Sequence, residues 1–331
     1  MTETSGSVMT DFLYEMWVYQ YPKCVFVMFV AWLCYLKTKT EVIVDFCWVL
    51  NHWIIGLSLV VQYIKIQNYR GWIELVILTF WFCRLGGFLF FNRVIKGHKD
   101  KRYDDIAENS SKKNLFFFIQ YQFQAILVVF TGSTLYWVFR DYEPSESTTP
   151  RWNFIVGGVL SIFGIVMEWI SDNQLENYKS EKIAAKLQQK VIEEQKKKDE
   201  ENGILEDKIN QNRVNGSGLN KTEMNSDLQT KGEYNSLLNP KEKDEFPNMF
   251  HSGLWKKSRH PNLFYELVCW LGFVISGLND YNVSFMGFLG PVVLWAIMFF
   301  LTIPLTEKTM KASRPNWDDW CCKSNKLLPF F

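Results

Sequence analysis

The sequence predicts an all-α, polytopic membrane protein of about seven transmembrane helices broken by one polar insertion. Three observations carry this. Apolar blocks long enough to cross a bilayer, roughly 20 residues each, recur along the chain. Their flanking loops alternate between acidic and basic. One long segment between the fifth and sixth blocks is almost wholly polar. The whole-chain averages conceal the division: mean hydropathy is only -0.09 although 48% of residues are hydrophobic and 17% aromatic.

In order, the expected spans are Trp17–Leu36, Val42–Ile64, Trp72–Phe91, Leu115–Phe139, Trp152–Ser171, Asn262–Leu278 and Val283–Leu305. Several open on a Trp, the side chain that anchors helices at the headgroup layer. The sixth is the shortest. Loop charges supply an independent direction. Met1–Glu15 holds Glu3, Asp11 and Glu15 and no Lys or Arg. The third loop carries Arg93, Lys96, Lys99, Lys101, Arg102, Lys112 and Lys113, the fourth Asp141, Glu143 and Glu146, and the tail Lys308, Lys311, Arg314, Lys323 and Lys326. Positive-inside bias then places the N-terminus outside and the C-terminal tail inside, as an odd number of spans requires.

The chain accordingly divides into residues 1–179 with five spans, an insertion over 180–248, and 249–331 with two spans and a tail. Glu176 to Glu201 carries i,i+4 pairs such as Glu193/Lys197 and Glu194/Lys198, which favour a solvated helix. From Asn202 to Asn248 the composition lacks the apolar content to fold alone, so this part is expected to be disordered or bound to a protein partner.

Composition excludes several classes. Net charge is +1, and no basic stripe with interleaved aromatics points to nucleic acid. The seven Cys include no CxxC pair, so neither a zinc site nor a disulfide framework is expected. The N-terminus lacks the basic n-region of a cleavable signal peptide.

Against this apolar background a set of polar residues falls at one membrane face. Arg84 lies in the inner half of the third span, where an unpaired Arg costs on the order of 3 kcal/mol or more. Asp45 enters the second span, Glu168 and Asp172 leave the fifth, Arg259, His260, Asn262 and Glu266 open the sixth, and Glu307 closes the seventh. Each has a plain alternative. His260–Pro261–Asn262 suits a helix start, Glu307 suits an interface, and Arg84 with Glu168 suits a structural pair. Their common side favours a shared polar cavity. His52, deep in the second span, reads as a hydrogen-bonded core residue, and Trp and Phe stripes as packing or lipid contacts.

Ordered motifs run along nearly the whole chain outside the insertion: Asp45–Phe46–Cys47–Trp48, Arg84–Leu85–Gly86–Gly87, Lys99–Asp100–Lys101–Arg102–Tyr103, Glu168 with Asp172–Asn173–Gln174, Gly253–Leu254–Trp255 through Glu266, Gly290–Pro291, Pro304–Leu305–Thr306–Glu307, and the tail from Arg314–Pro315. In these the chain resembles the steroid 5-alpha-reductase-like family of integral membrane proteins, in its domain-of-unknown-function branch. The resemblance implies a seven-helix bundle holding NADPH at the cytosolic side and delivering hydride to an activated double bond of a steroid or other lipid. It marks Arg84, Arg102, Asp172, Arg259, His260, Asn262, Glu266 and Glu307 as cofactor-pocket candidates. Tyr103 is a candidate proton donor, since a phenol can protonate a developing enolate; its plain reading is an interfacial Tyr.

The chain departs from the family pattern at Leu263 and Trp317 and Trp320, where Tyr is usual, and at Tyr265, where Gly is usual. Leu offers no phenolic hydrogen bond and Trp cannot accept one. Two other readings therefore stand beside the reductase. One is an S-adenosylmethionine-dependent methyltransferase, because isoprenylcysteine carboxyl methyltransferases share a similar Arg-His-Pro entry and later Glu. The other is an accessory subunit of a membrane complex that keeps the fold as a scaffold. Family analogy implies the endoplasmic reticulum, and complex membership the mitochondrial inner membrane, with the tail on the cytosolic or matrix side.

Overall fold

The computed structural model describes residues 5–63, 69–96, 112–140, 152–214, 250–278, 284–314 and 316–329. The described residues are overwhelmingly helical and form no β-strand, apart from one isolated bridge between Ser258 and Asn325. Two compact units are present, Met1–Asp172 with Ser252–Phe331, and Asn173–His251.

In the first unit, α1 (Ser5–Tyr14) passes through a wide π-helical turn, Glu15–Gln20, into α2 (Tyr21–Thr38). The turn precedes Pro22, which has no N–H to offer the preceding turn, and a π turn is one way for a helix to absorb that loss. The same arrangement recurs in the last long helix, where the π turn Met298–Thr302 precedes Pro304. α2 stops at Lys39, which adopts the left-handed conformation (φ 55°) and returns its N–H to the Tyr35 carbonyl at 2.7 Å. Then come α3 (Ile43–Tyr63), α4 (Tyr69–Ile95), α5 (Lys113–Arg140), α6 (Trp152–Val214), α7 (Pro261–Ser276), α8 (Phe285–Ser313) and α9 (Trp317–Lys323).

Among the described residues, five helices, α3, α4, α5, α6 and α8, are long and apolar enough to cross a membrane. The two remaining expected spans differ for visible reasons. α7 has 16 residues and ends at Ser276–Gly277. α2 has 18 residues and carries Lys23 and Lys37.

α5 is the pillar. Its second half, Thr131–Phe139, is buried on every side, and it packs against α2, α3, α7 and α8. Among the described residues, Trp81, Trp137 and Trp270 are the largest fully buried side chains. Outward-facing apolar residues such as Phe26, Val61, Val76, Phe91, Val159 and Phe300 suit a lipid solvent, in which apolar exposure costs nothing. α6 and α7 meet backbone to backbone. A Cβ on Gly164 would lie 2.5 Å from the Cys269 nitrogen, and Gly157 and Gly272 are pressed as closely against Ser276 and Ser161. Small residues permit this approach, and dispersion between the two backbones then holds the helices.

In the second unit, residues 173–198 of α6 are charged and largely exposed; Tyr178 stacks on Phe250 with ring centroids 4.9 Å apart. Residues 215–248 of the predicted 180–248 insertion lie outside the described residues.

Candidate functional site

The polar residues of the sequence do meet, in two adjoining groups around the first turn of α7. Arg84 occupies a π turn of α4, Phe82–Gly86. Its guanidinium reaches Glu168 at 2.6 Å and Asp172 at 2.5 Å, one helical turn apart on α6. Asn262, at the head of α7, donates to the other Asp172 oxygen at 3.2 Å. Glu266, one turn further along α7, accepts from the indole N–H groups of Trp81 at 3.0 Å and Trp270 at 2.9 Å. Glu168 and Glu266 are electrostatic neighbours. The side chains of Arg84, Glu168 and Asp172 are each at most 6% exposed.

This first group holds three carboxyl groups and one guanidinium. Two of the carboxyls pair directly with Arg84, while Glu266 takes two indole donors and lies against Glu168 within the field of Arg84. Arg84 Nε is buried with no hydrogen-bond partner, and Glu168 Oε2 is buried with Glu266 as its polar neighbour. A buried polar group left without a partner costs about 1–3 kcal/mol, so Arg84 Nε is a donor open to a further acceptor.

The second group is built on Glu307 of α8. Its Oε1 takes Arg259 Nε at 2.7 Å and lies 3.3 Å from His260 Nε2. Arg259 NH1 turns away, to the carbonyls of Ser324 at 2.5 Å and Cys321 at 3.3 Å and to Ser324 Oγ at 3.2 Å. The Pro261 ring starts α7 directly after this cluster, so the chain delivers Arg259 and His260 to one group and Asn262 and Glu266 to the other within two turns.

Two sequence expectations need correction or restriction. Asp45 does not join the set; it pairs with Arg93 at 2.6 Å, where both side chains are at least a quarter exposed. Arg102 and Tyr103 lie outside the described residues. His52 behaves as read from sequence: its Nδ1 lies 2.8 Å from the Trp48 carbonyl and its Nε2 2.7 Å from Thr131 Oγ1. Of the departures from the family pattern, Tyr265 is buried with its ring 5.9 Å from Phe163, and Trp317 and Trp320 are buried.

Sequence reasoning missed Trp81 and Trp270, which it assigned to packing. The available signal was spacing: Trp270 lies one helical turn after Glu266, and Trp81 three residues before Arg84, so each shares a helix face with a charged residue. It also missed the tail carbonyls around Arg259, which carry no side-chain signature.

No curated protein and no solved structure matches the chain. The profile described as "Protein of unknown function (DUF1295)" matches residues 31–207 and 217–321. Every described residue of both polar groups except Ser324 falls within these limits, and the chain belongs to this family, which stands in the steroid 5-alpha-reductase-like class.

Proposed function

We propose that the protein is an NADPH-dependent reductase-like membrane protein acting on an activated double bond of a steroid or other lipid. The observation that carries the reading is the group of buried Arg84, Glu168, Asp172 and Glu266 side chains with half-buried Asn262, assembled from three helices. Buried ionisable residues within membrane helices are costly and usually functional.

The residues fit the uncharged end of the cofactor. A carboxamide and a ribose need closely placed donors and acceptors, and Asn262, Asp172 and Arg84 Nε supply both kinds. They do not by themselves suit the phosphates, since three carboxylates surround the one guanidinium. The basic segment Lys99–Asp100–Lys101–Arg102 and Arg259 are the residues that would carry that charge. NADPH, when bound, supplies hydride. The protein's part is to orient the ring, through Asn262 and Glu266, and to exclude water with Trp81 and Trp270.

A second reading is an accessory subunit of a membrane complex. It draws on one feature: Arg84 and Arg259 are already paired with protein carboxylates.

Native mass spectrometry and NADPH fluorescence titration of the protein in lipid nanodiscs test the proposal. Bound NADPH is expected, with affinity falling about tenfold in Asn262→Ala, the loss of one or two directed hydrogen bonds. Bound S-adenosylmethionine instead would replace the reading with the methyltransferase one. Neither cofactor, together with stoichiometric recovery in a large assembly, would replace it with the accessory role.

A further inference from the structure

The C-terminal segment is tied to the chain just before α7 by an unusually dense set of bonds. Ser258 and Asn325 form a parallel bridge, in which the Arg259 N–H donates to the Asn325 carbonyl at 2.9 Å and the Asn325 N–H to the Lys257 carbonyl at 2.8 Å. Ser258 Oγ donates to the Leu327 carbonyl at 2.8 Å. Arg259 closes the connection with its side chain, through the Ser324 and Cys321 carbonyls and the Ser324 hydroxyl. Ser324 in turn donates to the Trp320 carbonyl at 2.7 Å, which stops the end of α9 from unwinding. Trp317 and Trp320, within the segment, are buried.

A guanidinium is a fork with donors in fixed directions. Here Nε serves Glu307 and NH1 serves the tail, so one side chain joins α8, the entry to α7 and the C-terminus. We propose that Arg259 is a positioning residue that straps residues 317–327 against the entry to α7, and that an oxyanion reaching the guanidinium competes with the tail carbonyls and opens the strap. The competition applies to an oxyanion that reaches NH1: its two N–H groups already face three acceptors within 3.3 Å, so a phosphate oxygen there displaces a tail acceptor and, being charged, makes the stronger bond. The strap itself stands on the hydrogen bonds alone; its opening by cofactor rests on the function proposed above.

Cys321 is a native reporter. Its thiol is half-buried, so the closed strap limits a reagent's access to it; burial raises its pKa while the neighbouring Arg259 cation lowers it, so faster labelling on loss of Arg259 reports access rather than acidity. The experiment measures maleimide labelling of Cys321 in the full-length Cys322→Ser protein in nanodiscs, read by peptide mass spectrometry. Cys47 and Cys269, both buried, report global unfolding. Arg259→Ala is expected to speed Cys321 labelling about tenfold or more with Cys47 and Cys269 still protected, the consequence of losing charged hydrogen bonds. Arg259→Lys should not restore the slow rate, because an ammonium lacks the fork. Asn325→Pro, which removes the N–H bonded to Lys257, is an independent route to the same acceleration should Arg259→Ala fail to fold. Sodium pyrophosphate should accelerate labelling of the Cys322→Ser protein and leave the Arg259→Ala rate unchanged. Unaltered labelling in both Arg259→Ala and Asn325→Pro overturns the strap, and indifference to pyrophosphate overturns the competition. NADPH titration runs beside these measurements, so absence of NADPH binding with a freed Cys321 in Arg259→Ala refutes the cofactor reading and leaves the strap intact.

Discussion

At the scale of residues, Arg84 shows how much one buried cation governs. It neutralises two carboxylates that are otherwise unpaired in a low-dielectric interior, and removing one partner of such a set costs about 3–5 kcal/mol. Arg84→Met is expected to lower unfolding stability in detergent by about that amount, measured by thermal or denaturant titration, and Arg84→Met combined with Glu168→Gln and Asp172→Asn to recover most of it. Trp81 gives a smaller, more specific effect. Trp81→Phe keeps the ring and removes the donor to Glu266, which should cost about 1–2 kcal/mol; the same loss in a Glu266→Gln background would show that the two residues do not communicate. Arg84, Asp172, Asn262 and Glu266 were legible in the sequence because charge and amide groups stand out in apolar runs. The division into two groups was not, since sequence order says nothing about which carboxylate a guanidinium chooses. Asp45 was misplaced for the same reason: it shared a membrane face with Arg84 by topology, but Arg93 lies nearer to it in the fold.

At the scale of elements, the turns and seams carry separate predictions. Lys39 ends α2 in a left-handed conformation, which costs a residue with a Cβ roughly 1–2 kcal/mol. Lys39→Gly should therefore stabilise the protein by up to about 1 kcal/mol, seen as a raised unfolding midpoint. The glycines divide sharply. Gly87 has open space around it and Gly164 has the Cys269 backbone. Gly87→Ala should leave stability within about 0.5 kcal/mol, whereas Gly164→Val should cost about 3 kcal/mol or prevent assembly. Hydrophobic blocks revealed where α3, α4, α5, α6 and α8 lie, because length and composition suffice for that. They did not reveal the π turns before Pro22 and Pro304, or the α6–α7 seam. Those depend on which helix faces which, and a Gly in an apolar run looks the same whether it meets lipid or backbone.

At the scale of the whole molecule, the loop charges remain the best guide to orientation. Acidic Asp11 and Glu15 near the start and basic Lys308, Lys311 and Lys326 near the end predict termini on opposite faces. A glycosylation acceptor added ahead of Met1 should be modified in microsomes, and one added after Phe331 should not; modification of both would require an even number of crossings. The all-α membrane class was legible from sequence at this scale. The expectation that every ionisable group lines one hollow was coarser than the outcome, in which Arg259 serves the chain's own tail and Arg84 a pair of acids.

The α6–α7 seam has an evolutionary consequence. An interface made of main chain has no side chain to trim or enlarge by degrees, so drift along it is blocked rather than slowed. Across relatives, Gly157, Ser161, Gly164 and Gly272 should hardly vary, while Ile155, Val159, Ile162 and Val166 on the outward flank of the same helix interchange freely among aliphatic types.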